Sequence, residues 1–182
     1  MSILKISRLG HPILLQKARP IKNVNSPKIK KIIHDMTETM LDANGIGLAA
    51  PQVHLCKQII IYRNIEEDLE GDIKITALIN PILTKITDHT DNQWEGCLSI
   101  PGMLGLVKRY TKIRYKGFDI NGNIIEKEVD GFQARVVQHE YDHLIGILYT
   151  SRLADKDAYG YSEEIEKFWK NKKNGLHENK GT

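Results

Sequence analysis

The sequence predicts an α+β domain with antiparallel β-sheets packed around a central helix, with an N-terminal helix and a C-terminal helix. Three observations predict it. Residues 26–43 and 132–148 carry apolar side chains at helical spacing. The chain between them holds short apolar runs bounded by Gly, Pro and Asn, which read as strands. The order is helix, several strands, helix, short helix, which segregates the two kinds of element as α+β folds do.

The first helix is read in "SPKIKKIIHDMTETMLDA". Ser26 serves as N-cap and Pro27 suits the first helical position. Ile29, Ile32, Ile33, Met36 and Met40 recur on one face, and Gly45 supplies the stop. "KQIIIYR" and "TALINPIL" read as buried strands, and "LGLVKRYTKIRYKGFDI" as one or two longer ones. "NGN" at 121–123 signals a hairpin between "IRYKGFDI" and "IIEKEV". Next comes "FQARVVQHEYDHLIGIL", opened by Asp130 and Gly131 and closed by Gly146. A last helix is expected from Ser162, with a serine cap and acids in its first turn, ahead of a frayed end. The expected division is a catalytic domain over 1–160 and a C-terminal helix and tail over 161–182.

A chain of 182 residues suits one domain, and 41% hydrophobic residues suffice for a core. A net charge of +3 with dispersed lysines and 7% aromatics gives no footprint of nucleic-acid binding. No apolar run approaches a membrane span and no secretory leader is apparent, so no membrane association is expected. Cytoplasm is the expected compartment. An organelle is the alternative, because no acidic residue precedes Asp35. In a reducing compartment Cys56 and Cys97 remain thiols, free to bind metal.

The chemistry is concentrated in "QHEYDH". On a helix, His139 and His143 lie one turn apart on one face, where both imidazoles reach a single cation. Glu140 sits beside them as a candidate base acting on water. Two histidines are not enough, because a catalytic site of this kind usually has three protein ligands and an open position. Cys97, in "NQWEGCLSIPG", is the candidate third ligand, and a buried structural cysteine is the rival reading. "NGIGLAAPQ" offers two glycines where a backbone or ligand approaches closely, or simply a helix end running into a strand.

"GIGLAAPQ", "EGCLS" and "QHEYDHL", in that order and spacing, resemble the signature motifs of the peptide deformylases, of bacterial or organellar type. The resemblance spans roughly residues 5–155 and includes "GHPIL", "INP", the "PG" at 101–102 and "GILY". It implies a metal-dependent hydrolase that removes the formyl group from N-terminal formyl-methionine of nascent polypeptides. It implies Cys97, His139 and His143 as metal ligands, with one divalent ion, Fe(II) in the cell, for which Zn(II), Ni(II) or Co(II) substitutes. Glu140 would take a proton from a metal-activated water and return it to the leaving amine. The Gln52 amide and the Leu98 N–H would stabilise the oxyanion. Gly45, Ile46, Gly47, Phe132 and Val136 would contact the substrate. At Gly47 a side chain would obstruct the peptide. Asp142 is assigned a structural contact with Arg109 or Arg135 ahead of a histidine-orienting role, and Glu95 an arginine partner. His54 departs from the family, where glycine is frequent.

The expected partners are N-formyl-methionyl peptides and, transiently, the ribosome through the C-terminal helix, with the protein a monomer. Two other readings compete. One is an H-E-x-x-H peptidase, which leaves "EGCLS" unexplained. The other is a catalytically inactive metal-binding or ribosome-associated relative, which has no need of Glu140.

Overall fold

The computed structural model describes residues 2–64 and 73–169. Helix α1 spans Pro27–Asp42, with the Ser26 hydroxyl accepting from the Ile29 N–H. It ends slightly before the point where Gly45 would stop it. Ala43 is the C-cap and Asn44, at φ 52°, supplies the left-handed residue that breaks the helix. Ile29, Ile33, Met36 and Met40 are buried, as their spacing predicts.

Among the described residues eight strands form two antiparallel sheets. Strands β1 (Gly47–Ala49), β2 (Ile59–Arg63), β3 (Ile75–Lys85), β6 (Lys112–Phe118) and β7 (Ile124–Asp130) form the first, in the order β1-β2-β3-β6-β7. Strands β4 (Thr90–Cys97), β5 (Ile100–Tyr110) and β8 (Tyr159–Tyr161) form the second, in the order β4-β5-β8. The run 104–120 is thus two strands, β5 and β6, and they belong to different sheets. The chain changes sheet at Thr111, whose carbonyl accepts from the Gly131 N–H. The "NGN" turn joins β6 to β7, with Gly122 at φ 84° and Asp119 accepting from the Asn121 and Asn123 N–H groups.

Helix α2 spans Gly131–Leu144 and touches strands of both sheets. Strand β2 is apolar from Ile59 to Tyr62 because it is covered twice. Ile59 and Ile61 pack with α1, and Ile60 and Tyr62 with Ala134, Val137 and Leu144 of α2. A third cluster, of Leu14, Ile100, Val107, Leu148 and Tyr149, lies under the second sheet. Each fully buried aliphatic side chain contributes about 1.5–3 kcal/mol, so these clusters fix where α2 sits. Helix α3 (Ser162–Phe168) closes the described chain. Its cap position falls on Tyr161 and no side chain caps it, so Ser162 is the first helical residue, not the cap. Among the described residues no helix is long and apolar enough to cross a membrane.

His54 follows a short 3-10 turn, Ala50–Val53, and adopts φ 62°, ψ 21°. A left-handed backbone there favours glycine, which lacks the Cβ penalty. The His54 ring rests edge-on against His11, with centroids 4.8 Å apart.

Candidate active site

Cys97 ends β4, and His139 and His143 lie one turn apart on α2. One ligand atom from each falls within 4.8 Å of the others. The Cys97 Sγ is 3.3 Å from His143 Nε2. Both histidines are buried, which a helix wedged between two sheets makes unavoidable.

Glu95 sits two residues before Cys97 near the end of β4, where the pairing with β5 is irregular. Its carboxylate accepts from His139 Nδ1 at 2.8 Å, which leaves Nε2 of that ring for the cluster. Arg109 donates twice to Glu95, at 3.0 Å from both Nε and Nη2, and once to Asp142. Arg135 adds a bond to Glu95 at 2.7 Å. Arg152 grips Asp142 from the other side, at 2.8 and 2.7 Å. Asp142 therefore does hold Arg109, and Arg135 turns instead to Glu95 and Asp91. The residue that orients a histidine is Glu95, a role the sequence reading did not give it. The two-residue spacing to Cys97 is the signal that could have found it.

Burial works to raise the Glu95 carboxyl, but the hydrogen bonds from His139 and Arg109 hold it well below the ordinary carboxylate range. For His139, burial opposes the proton, while Cys97 and Glu95 outweigh it and raise the imidazole. Burial drives His143 well below its ordinary value. Burial also pushes the Glu140 carboxyl up to about 7. A carboxyl in that range can take and return a proton near neutrality.

The donor set fits a divalent cation. A thiol and two imidazoles suit Fe(II), Zn(II), Ni(II) and Co(II) alike. Glu140 Oε2 and His143 Nδ1 are buried without a hydrogen-bond partner among the described residues. The Tyr149 ring stacks on His139, 5.9 Å away and tilted by 25°, and restrains the imidazole from behind.

A cleft of about 550 Å³ opens onto this cluster. Gln52, Cys97, Leu98, His139 and Glu140 line it, and so do Gly45, Ile46, Gly47, Phe132 and Val136. His143 lies behind them. Gln52 is buried in the 3-10 turn, and its Oε1 accepts from the Ala49 N–H at 2.8 Å. That bond fixes the amide so that Nε2 faces Cys97 Sγ at 3.5 Å and Ser99 Oγ at 3.2 Å. Leu98 occupies the turn between β4 and β5. Phe132 and Ile46 are exposed at 47% and 37%, at the cleft mouth.

Glycine at 47 has a further reason besides the expected one. A Cβ there would lie 2.3 Å from Glu140 Oε1 and 2.7 Å from its Cδ. Gly47 makes room for the Glu140 carboxylate, and not only for a ligand. At Gly45 a Cβ would lie 2.8 Å from Leu98 Cδ1.

Known proteins resemble this chain closely. The family described as polypeptide deformylase matches residues 3–159. Peptide deformylase 1 of Nitrosomonas europaea is 46% identical over 165 residues, covering 88% of this chain and 93% of the relative. Peptide deformylase 1 of Bordetella pertussis is also 46% identical, over 163 residues, with the same coverage. Among solved structures, peptide deformylase from Thermotoga maritima superposes with a TM-score of 0.79 at 34% identity, over 85% of this chain and 100% of that one. The enzyme from Synechococcus elongatus, solved with actinonin, gives 0.78 at 35% identity, over 90% of this chain and 85% of that one.

Proposed function

Because this chain belongs to the polypeptide deformylase family, whose activity is removal of the formyl group from N-terminal formyl-methionine, we propose that Cys97, His139, His143, Glu140, Gln52 and Leu98 carry out that hydrolysis here. The observation that carries the assignment is the thiol–diimidazole cluster with a partnerless carboxylate oxygen beside it. When bound there, a divalent cation supplies Lewis-acid polarisation and lowers the pKa of water from ~15.7 toward ~7.

Glu140 receives the proton of the attacking water at its carboxylate. It then delivers that proton to the amine nitrogen as the formyl carbon–nitrogen bond breaks. Gln52 Nε2, held by the Ala49 N–H on its oxygen, donates to the oxyanion. The Leu98 N–H is the second donor, and one such donor lowers the barrier by about 2.7–4 kcal/mol. Glu95 keeps His139 in one tautomer and one orientation. Ile46, Phe132 and Val136 receive the methionine side chain, and Gly45 and Gly47 let the peptide backbone come close.

The same reading takes Fe(II) as the cellular ion, with Zn(II), Ni(II) or Co(II) able to replace it, and a cytoplasmic monomer as the working form. It takes residues 1–160 as the catalytic domain and 161–182 as a terminal helix and tail that contacts the ribosome transiently. The basic stretch beyond Trp169 lies outside the described residues.

Formate release from a formyl-Met tripeptide tests the proposal, with protein purified without oxygen and loaded with Fe(II) or Ni(II). Glu140→Ala should lose about 10²–10⁴-fold in kcat while it keeps its metal. A folded, metal-loaded parent that releases no formate would leave the inactive metal-binding reading in its place.

A further inference from the structure

Strand β8 and helix α3, which follow the histidine helix, back the far wall of the cleft, and Ser162 joins its lining. Strand β8 pairs with β5, placing Tyr161 opposite Met103 and Gly160 opposite Leu104. Met103 and Leu104 both line the cleft, and so does Ser162, where α3 begins. Ile165 anchors that helix, buried beside Gly160. At the end of α3 the Trp169 ring meets Trp94 in an edge-to-face contact, with centroids 6.2 Å apart and planes at 76°. Trp94 is itself a cleft residue, three positions before Cys97 on β4.

The far wall therefore bounds the part of the cleft left for the residues after methionine. The formyl group must reach Glu140 at the base, and Ile46, Phe132 and Val136 take the methionine side chain. What remains is walled by the β4–β5 hairpin, backed by β8 with α3. The residues of that wall that line the cleft are neutral: Trp94, Met103, Leu104 and Ser162 carry no charge, and the acids of α3, Glu163 and Glu164, lie outside the lining. The ionised groups lining the cleft are already engaged. Glu95 and Arg135 are buried and paired with each other, and His139 bonds to Glu95. Glu140 is the proton carrier. A charged substrate side chain packed against these lining residues would give up water and find no counter-charge among them. An apolar one would cover the tryptophan and gain burial.

We propose that β8 and α3 make this wall a specificity element, with Trp169 as a positioning residue that sets Trp94, so that formylated peptides with neutral apolar second and third residues are preferred over charged ones. The proposal rests on the deformylase reading and extends it beyond formyl-methionine. Trp169 touches no substrate in it and acts through Trp94 alone.

The test uses the full chain, Ni(II)-loaded, with formyl-Met-Leu-Phe, formyl-Met-Asp-Glu and formyl-Met-Lys-Lys. The parent should show kcat/KM about tenfold or more higher for the apolar peptide, as an unpaired charge in a neutral pocket demands. Trp169→Ala should raise KM for formyl-Met-Leu-Phe about 3- to 10-fold with kcat held, the worth of one edge-to-face contact. Trp169→Phe should restore it. Equal kcat/KM for the three peptides would overturn the proposal. So would a variant that loses kcat equally on all of them, the mark of a structural role.

Binding of the unformylated peptides separates this from the deformylase reading. The chain has two tryptophans, 94 and 169, so its tryptophan fluorescence reports on this wall. A preference for Met-Leu-Phe over Met-Asp-Glu without turnover of formylated substrate would uphold the wall and sink only the deformylase reading. Equal binding of the two would overturn the wall itself.

Discussion

Gly47 lies so close to Glu140 that there is no room between them for a Cβ. Any Cβ at 47 must displace the carboxylate, because Oε1 would stand 2.3 Å from it. Gly47→Ala should therefore lower kcat by roughly 100-fold, the cost of misplacing a reacting group by about 1 Å. Metal content and unfolding midpoint should hold, since no apolar contact is lost. An unchanged kcat would mean that Glu140 works from another position. At this scale the sequence is legible where spacing encodes geometry. His139 and His143 share a helix face because of the four-residue step, and Glu140 follows from the same step. The link from Glu95 to His139 is less legible, although Glu95 stands only two residues before Cys97. The Gly47 contact is hidden altogether, because β1 and α2 meet only after more than eighty residues of intervening chain.

Between elements, the site is held by ion pairs buried where β4, β5 and α2 meet. Arg109 on β5 joins Glu95 on β4 to Asp142 on α2, and all three are buried. Removing one member of such a pair leaves its partners charged in a poor solvent. Arg109→Met should cost about 3–5 kcal/mol, near the lower end because Arg135 and Arg152 still hold the two carboxylates. Urea unfolding of the two proteins at equal metal loading measures it. Arg114 on β6 offers the contrast. It pairs with Glu126 and Glu128 across β7 in solvent, and Arg114→Ala should barely move the midpoint. If both substitutions cost the same, burial is not what gives the Arg109 network its weight. The sequence foretells the strands and the amphipathic helices, since periodicity reports which face is buried. It does not foretell that β5 and β6, separated by one residue, enter different sheets. Alternation says that a strand has an inside, and not which sheet it joins.

For the whole molecule the question is whether the cation builds the fold or uses it. The ligands come from two bodies, Cys97 from the second sheet and the histidines from the helix between the sheets, so a bound ion ties them together. Small metal domains fold only when their ion is present, because they have no other core. Among the described residues there are three buried apolar clusters, and in the largest two none of the candidate ligands takes part. The ion-free protein should therefore unfold cooperatively on its own. Adding Ni(II) at about 100 times its dissociation constant should stabilise it by about 2.7 kcal/mol, through binding to the folded state alone. For a chain of this size that is a rise in Tm of roughly 5–10 °C. A chelator should reverse the rise, and Cys97→Ser with His143→Ala should abolish the Ni(II)-dependent shift, measured against that variant's own ion-free Tm, which the cavity at the buried His143 lowers. Calorimetry of the four samples decides the matter. A cooperative ion-free transition with a metal-dependent shift makes the cation a guest of a prebuilt site, as an open catalytic position requires. Loss of the transition on chelation would make it a structural staple, and the two sheets would then owe their arrangement to the ion.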